Sequence, residues 1–156
     1  MSNQGIRGYY QLTETIKNSL LSDVNTKTVP QGNLDEINLQ KQDIFPLAHL
    51  MVNQVSQEDG VLRFNLSILN MDIVDLSKEE TTNLFRGNNN LEDILNTQLS
   101  VSNKLIQVLR GGTLHQDKYQ FDGNATLEPF YDRFENDLAG WTATFDVLIY
   151  NDIRHC

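Results

Sequence analysis

The segment at residues 91–110 constrains the fold of this chain more than any other. On a helix with 100° between residues, its apolar side chains fill one half of the helical wheel and its polar side chains the other. Asn90 precedes it as a candidate N-cap, and Gly111 follows it as a stop signal. Gln98 and Ser102 lie inside the apolar half, where they need hydrogen-bond partners. A half-apolar helix covers a sheet, so the pattern predicts helices packed on strands.

Two segments have the alternating polarity of β-strands. Residues 140–150 alternate without interruption, and Trp141 begins the series predicted to face the core. Residues 62–74 alternate as well, but their apolar positions change phase at Ile68-Leu69. Because a slip of one residue sends every later side chain to the opposite face, this strand predicts one of two structures. It has a bulge near Ile68, or it passes from one packing partner to another.

Shorter patterns complete the order of elements. Residues 9–21 are predicted to form a helix, and residues 43–52, with Pro46 near their start, a buried strand. Residues 119–124 form a turn-rich stretch. Residues 125–138 fit either a helix or a strand, and their connection to the last strand favours a hairpin. The order α, β, β, α, β, β predicts an α+β fold with a mostly antiparallel sheet covered by helices.

Two polar segments are too long for ordinary connections. Residues 22–42 are polar and aperiodic, which predicts a strand before Asp43 flanked by an extended arm, or a segment that pairs with another subunit. Residues 76–90 form a polar loop of similar length. We expect both segments to make contacts between subunits, since neither has enough apolar periodicity to be held by its own domain.

Length and charge limit the class of protein. The chain has 156 residues, which predicts a single domain with a real core across residues 1–156. Its formal net charge of −9, with 12 scattered basic residues, argues against binding to nucleic acid. No window approaches the roughly 20 apolar residues that span a bilayer. We therefore expect a soluble protein without a membrane partner, or a virus particle protein made in the host cytoplasm.

The sequence contains no motif for catalysis. Cys156 is its only cysteine, the three histidines stand outside any local motif, and phosphate loops, nucleophile elbows and dinucleotide fingerprints are missing. Gly111-Gly112 follows a helix and does not precede one, so helix capping is favoured over phosphate binding. The sequence therefore predicts no enzymatic activity, no cofactor and no catalytic or metal-binding residue. The histidines are His49, His115 and His155.

Several side chains nevertheless have a possible site assignment, each weaker than a structural one. The acidic residues near the C-terminus could supply oxygen ligands, and His155 with Cys156 could bind a metal, but neither set has diagnostic spacing. His49 lies in an apolar strand and is predicted to be a packing histidine. Arg133 is expected to pair with a carboxylate. The acidic set is Asp117, Asp122, Asp132, Glu135 and Asp137; the aromatic set, predicted to be core, is Phe130, Tyr131, Phe134 and Trp141.

Four stretches of the chain resemble small structural proteins of tailed bacteriophages. They are similar above all to tail terminator and tail-completion proteins, which join the neck to the tail. The stretches are TLEPFYDRFENDLAGWTATFDVLIYND at 126–152, DIFPLAHLMV at 43–52, FNLSILNMDIVD at 64–75 and LIQVLRGG at 105–112. The resemblance is one of pattern and covers about residues 43–152.

The resemblance implies an α+β domain that assembles into a homo-oligomeric ring, commonly a hexamer. Such a ring is a virion component that caps the tail tube, contacts the neck or connector proteins and lets DNA pass without binding it. Two alternatives stay open: another head-to-tail connector ring such as a stopper or adaptor, and an α+β domain that binds a small ligand. Oligomerisation or binding to tail tube would distinguish a ring component from a small-ligand-binding monomer or dimer.

Overall fold

The computed structural model describes residues 4–31, 45–74, 91–112, 119–133 and 138–150. Within these ranges the chain forms two helices and one four-stranded sheet, in which every neighbouring pair of strands is antiparallel and the order is β1-β2-β4-β3. The prediction of an α+β fold is confirmed. The elements in chain order are α1 (Gln4–Leu21), β1 (Leu47–Glu58), β2 (Val61–Ile73), α2 (Leu91–Arg110), β3 (Tyr119–Arg133) and β4 (Leu138–Tyr150).

Both helices pack on the same face of the sheet. Each contributes apolar side chains at a spacing of three or four residues, and these meet alternate residues of β2 and β4 in one buried cluster. Removing the apolar surface of these side chains from water is the main favourable contribution to the folding of the domain. The fully buried members are Leu12, Ile16 and Leu20 from α1, Leu109 from α2, Ala48 and Leu50 from β1, Leu66 and Ile68 from β2, and Ala143, Phe145, Val147 and Ile149 from β4.

The phase change in β2 reflects burial on both faces of the strand. Its register runs through Ile68 without a shift, against β1 and against β4, so the predicted bulge is wrong. The alternative is confirmed: Ile68 packs under the helices, whereas Leu69 and Met71 enter a second cluster on the opposite face. This second cluster, called the apolar end of the helix-free face, contains Phe45, Leu47, Leu69, Met71, Phe130 and Leu138.

The stretch predicted to be turn-rich is the beginning of β3. Asp122 pairs with Asp146 and Thr126 with Thr144, so three residues of β3 oppose one residue of β4. Gly123 supplies the positive φ of 70° that this irregularity requires. The glycine and asparagine mark a bulge inside a long strand and not a turn between elements. β3 and β4 pair as antiparallel neighbours, which confirms the hairpin favoured for residues 125–138 and the last strand.

Part of the polar arm is held by its own chain. The backbone N–H groups of Ala48 and Leu50 donate to the carbonyls of Thr28 and Pro30, at 2.9 Å each, and residues 27–31 lie parallel to β1 in two isolated bridges. We expected that residues 22–31 would not be held by their own domain, and this expectation is wrong. Backbone hydrogen bonds to β1, which a hydrophobic pattern does not reveal, hold this part of the arm. Residues 32–42 and 76–90 lie outside the described ranges, so their contacts between subunits stay a prediction.

The polar residues on the inner face of α2 differ in their partners. Ser102 is buried, and its hydroxyl accepts a hydrogen bond from the Asn70 amide at 2.5 Å, as predicted. Gln98 is 2% exposed, but no hydrogen bond joins its side chain to the described part of the chain. At the end of α2 the N–H groups of Gly111 and Gly112 donate to carbonyls three residues earlier, which confirms the capping assignment.

Trp141 was predicted to be buried, but the structure shows it partly exposed. It lies near the end of the row of β4 side chains that pack under α2. Its indole N–H donates to the Leu95 carbonyl at 2.7 Å. Trp141→Phe, which loses this bond, should lower the free energy of unfolding by about 1 kcal/mol in urea titrations. Trp141→Ala should cost more, but less than the roughly 3–5 kcal/mol of a fully buried tryptophan. Equal stability of Trp141→Phe and the wild type would contradict this assignment.

Asp72, near the end of β2, makes stability depend on pH. Burial raises the pKa of its carboxyl, and a hydrogen bond from the Ile73 N–H only partly opposes this. Since the folded pKa is raised, stability is lost as pH rises from the unfolded pKa of about 3.9 through the folded value. Asp72→Asn, which keeps an acceptor for that N–H, should raise the urea midpoint at pH 7. The increase in urea midpoint should disappear below pH ~3.9, where Asp72 is protonated in both the folded and the unfolded chain. An equal increase at pH 7 and below pH ~3.9 would contradict this role of Asp72.

Candidate functional site: the polar patch of the sheet

The face of the sheet opposite the helices has a polar region beside its apolar end. Alternate residues of β2 point to this face, because the residues between them point to the helices. The region extends across all four strands and is joined by side-chain hydrogen bonds. We call it the polar patch, and it consists of Asn53, Glu58, Arg63, Asn65, Ser67, Asp122, Thr144 and Asp146.

Strand pairing brings two carboxylates together at the centre of the polar patch. Asp122 of β3 is directly opposite Asp146 of β4. Like charges opposite each other in a sheet are destabilising, so this pair needs a cation. Arg63 of β2 supplies it.

Arg63 bridges the carboxylates of three other strands. Its Nη1 lies 2.5 Å from Asp122 Oδ2 and 3.3 Å from Asp146 Oδ2, and its Nε lies 2.5 Å from Glu58 Oε2. Hydrogen bonding to Glu58, and then to Asp122, raises the pKa of the guanidinium further above its ordinary value. One positive charge therefore serves three negative charges, and these four groups together keep a formal charge of −2.

Neutral side chains extend the polar patch toward β1. The register of β1 shifts between Val52 and Gln54, which places Asn53 as an extra residue in the strand. The Asn53 amide donates to Asn65 Oδ1 at 2.9 Å and to Ser67 Oγ at 2.8 Å. Asn65 in turn donates to Asp146 Oδ1 at 2.8 Å, and Ser67 shares a 3.2 Å hydrogen bond with Thr144. The polar patch is a continuous network suited to ion pairing and hydrogen bonding.

The charged residues of the described helices and strands are divided unequally between the two layers of the fold. The helices carry four basic and three acidic residues. The four strands carry two basic and six acidic residues. Glu128 pairs with Thr142 and so shares the face of the polar patch, where it is exposed and adds to the negative charge. The acidic surplus of the described elements thus lies in the sheet layer.

The candidate site residues of the sequence analysis do not form one site. His49 is fully buried in β1, consistent with a packing role. Asp122 joins the polar patch and not a metal site; no cluster of three metal-ligating side chains occurs in the described ranges. Phe130 is buried in the apolar end, as predicted. The side chains of Tyr131, Asp132 and Arg133, and residues His115, Asp117, Phe134, Glu135, Asp137, His155 and Cys156, lie outside what the structure describes.

Sequence reasoning did not identify Arg63, Glu58 or Asp146 as members of one network. The alternation in β2 predicts that Arg63 lies on a polar face. Two of its partners are distant in the sequence, because Asp122 is 59 positions away and Asp146 is 83 positions away. Only the strand order brings these residues together. A basic residue flanked by apolar neighbours within a strand was the available signal.

Arg63 should be important for the stability of the polar patch. Arg63→Gln leaves the facing carboxylates Asp122 and Asp146 without their shared cation, so we expect a lower urea midpoint at pH 7 and low salt. Adding Asp122→Asn to that variant should recover part of the loss, because one of the repelling charges is removed. Added salt should reduce the difference in urea midpoint between Arg63→Gln and the wild type, since these charged groups are partly exposed and salt screens them. An unchanged midpoint in Arg63→Gln at low salt would refute this role.

Comparison with known proteins gives no family for this chain: no protein-family model matches it, and no curated protein has a significantly similar sequence. In the described part of the chain, neither helix is long and apolar enough to cross a membrane.

Proposed function

We propose that this protein is a structural component of a bacteriophage tail, forming a ring at the junction of neck and tail. The ring caps the tail tube, joins it to the connector on the head side and lets DNA pass. The sequence resemblance suggests this role, and an α+β domain is what that resemblance implies. The observation that carries the proposal furthest is the acidic surplus of the sheet layer.

An acidic sheet face suits the inner wall of a DNA channel. A wall that repels phosphates avoids the counterion-releasing contacts by which basic proteins bind duplex DNA. In the proposed ring the face with the polar patch points to the lumen. The helices, whose charges nearly balance, face away from the channel.

The proposed role is structural and involves no catalysis. The polar patch holds its one cation in three ion pairs, and its hydroxyls on Ser67 and Thr144 bond to each other. Groups engaged in this way support packing and recognition. The proposal includes no cofactor and no chemical step.

Light scattering during size-exclusion chromatography tests the assembly. We expect a defined oligomer, visible as rings in negative-stain electron micrographs, which binds purified tail tubes of its own phage. A monomer that stays monomeric at high concentration and does not bind tail tubes would overturn the proposal. A ring that binds head-side connector but not tail tube would replace the terminator role by that of a stopper or adaptor.

Lysine substitutions test which face lines the channel. Gln120→Lys with Glu128→Lys adds positive charge at two exposed positions on the face of the polar patch. We expect the ring of this variant to retain duplex DNA in a filter assay at physiological salt, while the wild type does not. The matched control, Gln107→Lys with Glu14→Lys, makes the same two changes, and so the same change in charge, at exposed positions of α2 and α1. DNA retention by the control and not by the sheet variant would refute the orientation, as would tight DNA binding by the wild type.

A further inference from the structure

The chain contains two Asp-Gly sequences, and both lie where the regular pairing of the strands is interrupted. Asp59-Gly60 is the two-residue turn between β1 and β2, and Asp122-Gly123 begins the bulge of β3. Gly60 has a φ of 78° and Gly123 a φ of 70°. At both glycines an added Cβ would meet no atom within 4 Å, so the backbone that follows each aspartate is equally open.

An aspartate followed by glycine can rearrange covalently, because glycine has no side chain to obstruct the reaction. The glycine nitrogen attacks the carboxyl carbon of the aspartate. A C–N bond forms, one carboxyl oxygen leaves as water together with the proton of the nitrogen, and a five-membered succinimide ring results. Water then opens the ring at one of its two carbonyls. Opening at the side-chain carbonyl restores aspartate, whereas opening at the main-chain carbonyl gives isoaspartate, whose backbone runs through the former side chain.

We propose that Asp59 is a site of isoaspartate formation in the folded protein, whereas Asp122 is protected from it by Arg63. Asp59 and Gly60 are both exposed. Among the described residues, none makes a hydrogen bond or an ion pair with the Asp59 carboxylate. This carboxyl is therefore free to rotate to the roughly 3–3.5 Å from the Gly60 nitrogen at which attack begins.

Asp122 differs from Asp59 in the contact that its carboxylate makes. Arg63 Nη1 donates to Asp122 Oδ2 at 2.5 Å, and the side chain of Asp122 is only partly exposed. To form the succinimide, the carboxyl must turn toward the Gly123 nitrogen and lose one oxygen, so this charge-assisted hydrogen bond must break first. We therefore expect isoaspartate to form at Asp122 roughly tenfold more slowly than at Asp59.

Isoaspartate at position 59 would alter the end of the sheet beside the polar patch. It adds one backbone carbon between Glu58 and Val61, which form the last pair of β1 and β2. Glu58 is also the partner of Arg63 Nε, so the ion pairs of the polar patch begin one residue before the modified position.

Peptide mapping of the whole protein after prolonged incubation tests the proposal. The wild type is held at mildly acidic pH and physiological temperature and then digested. Peptides with isoaspartate are identified by a changed retention time at unchanged mass and by resistance to cleavage with endoproteinase Asp-N. We expect isoaspartate at position 59, and roughly tenfold less of it at position 122. Absence of isoaspartate at position 59, or equal amounts at both positions, would overturn the proposal.

Two variants test the chemistry and the protection separately. Asp59→Glu keeps the charge and Gly60, but its ring would have six members and close far more slowly, so the signal from this turn should vanish. Arg63→Gln should raise isoaspartate formation at Asp122 toward the rate at Asp59, and circular dichroism shows whether this variant is folded. A signal that persists in Asp59→Glu would refute the site. An unchanged rate at Asp122 in folded Arg63→Gln would refute the protection.

The chemically unfolded wild type gives the same comparison without a variant. The contact between Arg63 and Asp122 is lost there, so the two Asp-Gly sequences should react at similar rates. A tenfold difference that persists in the unfolded chain would show that local sequence sets the rates, and it would overturn the role of Arg63. The inference does not rest on the proposed ring, because it needs only the turn and the ion pair of a single chain.

Discussion

Gly140→Ala should lower the free energy of unfolding by about 3 kcal/mol, the upper end of the usual cost of overpacking. Gly140 of β4 is opposite Met71 of β2, and an added Cβ would lie 1.8 Å from the Asn70 carbonyl oxygen and 2.8 Å from the Met71 Cα. These are backbone atoms of a central strand, so they can move only if the pairing of β2 and β4 changes. The buried hydrogen bond from Asn70 to Ser102 would be disturbed by the same movement.

Urea titration of Gly140→Ala beside Gly111→Ala tests this close approach. At Gly111 an added Cβ would have one neighbour, the Val108 carbonyl oxygen at 3.4 Å, and the residue is exposed. The control should therefore stay near wild-type stability. If Gly140→Ala unfolds at the wild-type midpoint, the described packing of β2 against β4 is incorrect.

Phe145→Ala should cost about 3–5 kcal/mol of unfolding free energy. Phe145 is 2% exposed at the centre of β4, and its ring stacks on Phe121 with 5.4 Å between centroids. Its removal leaves a cavity below the helices that neighbouring strands can fill only in part. The guanidinium of Arg110 lies over Phe121, 4.4 Å from the ring centroid, so the loss of packing extends to the end of α2.

Val24→Ala is the matched control for a lost apolar side chain, because Val24 is 96% exposed. Its unfolding free energy should change by less than about 0.5 kcal/mol. A similar small effect in Phe145→Ala would contradict the assignment of that residue to the core.

The elements that the sequence predicted best are those with one uninterrupted period. The α2 segment and β4 each have one buried face along most of their length, so periodicity alone identifies them. β3 was missed in part because Gly123 and Asn124 are the residues of turns, and a local signal does not distinguish a turn from a bulge. In β2 the phase change was visible, but the second apolar cluster that explains it comes from distant residues such as Phe45 and Phe130.

The candidate site was less predictable than the fold. Asp122 was considered as a possible metal ligand, yet its function in the structure is to share Arg63 with Asp146 and Glu58. The charge of each residue is evident from the sequence, whereas its neighbour depends on strand order and register.

The irregular pairing of β3 also affects how the protein behaves when it is concentrated. β3 is an edge strand, and a long regular edge is a template to which strands of other molecules can add. Gly123 interrupts that edge, and Pro129 offers no N–H to an incoming strand. Only short regular stretches of this strand are therefore suited to pairing with a new strand, which makes edge-to-edge aggregation of copies of the chain less favourable.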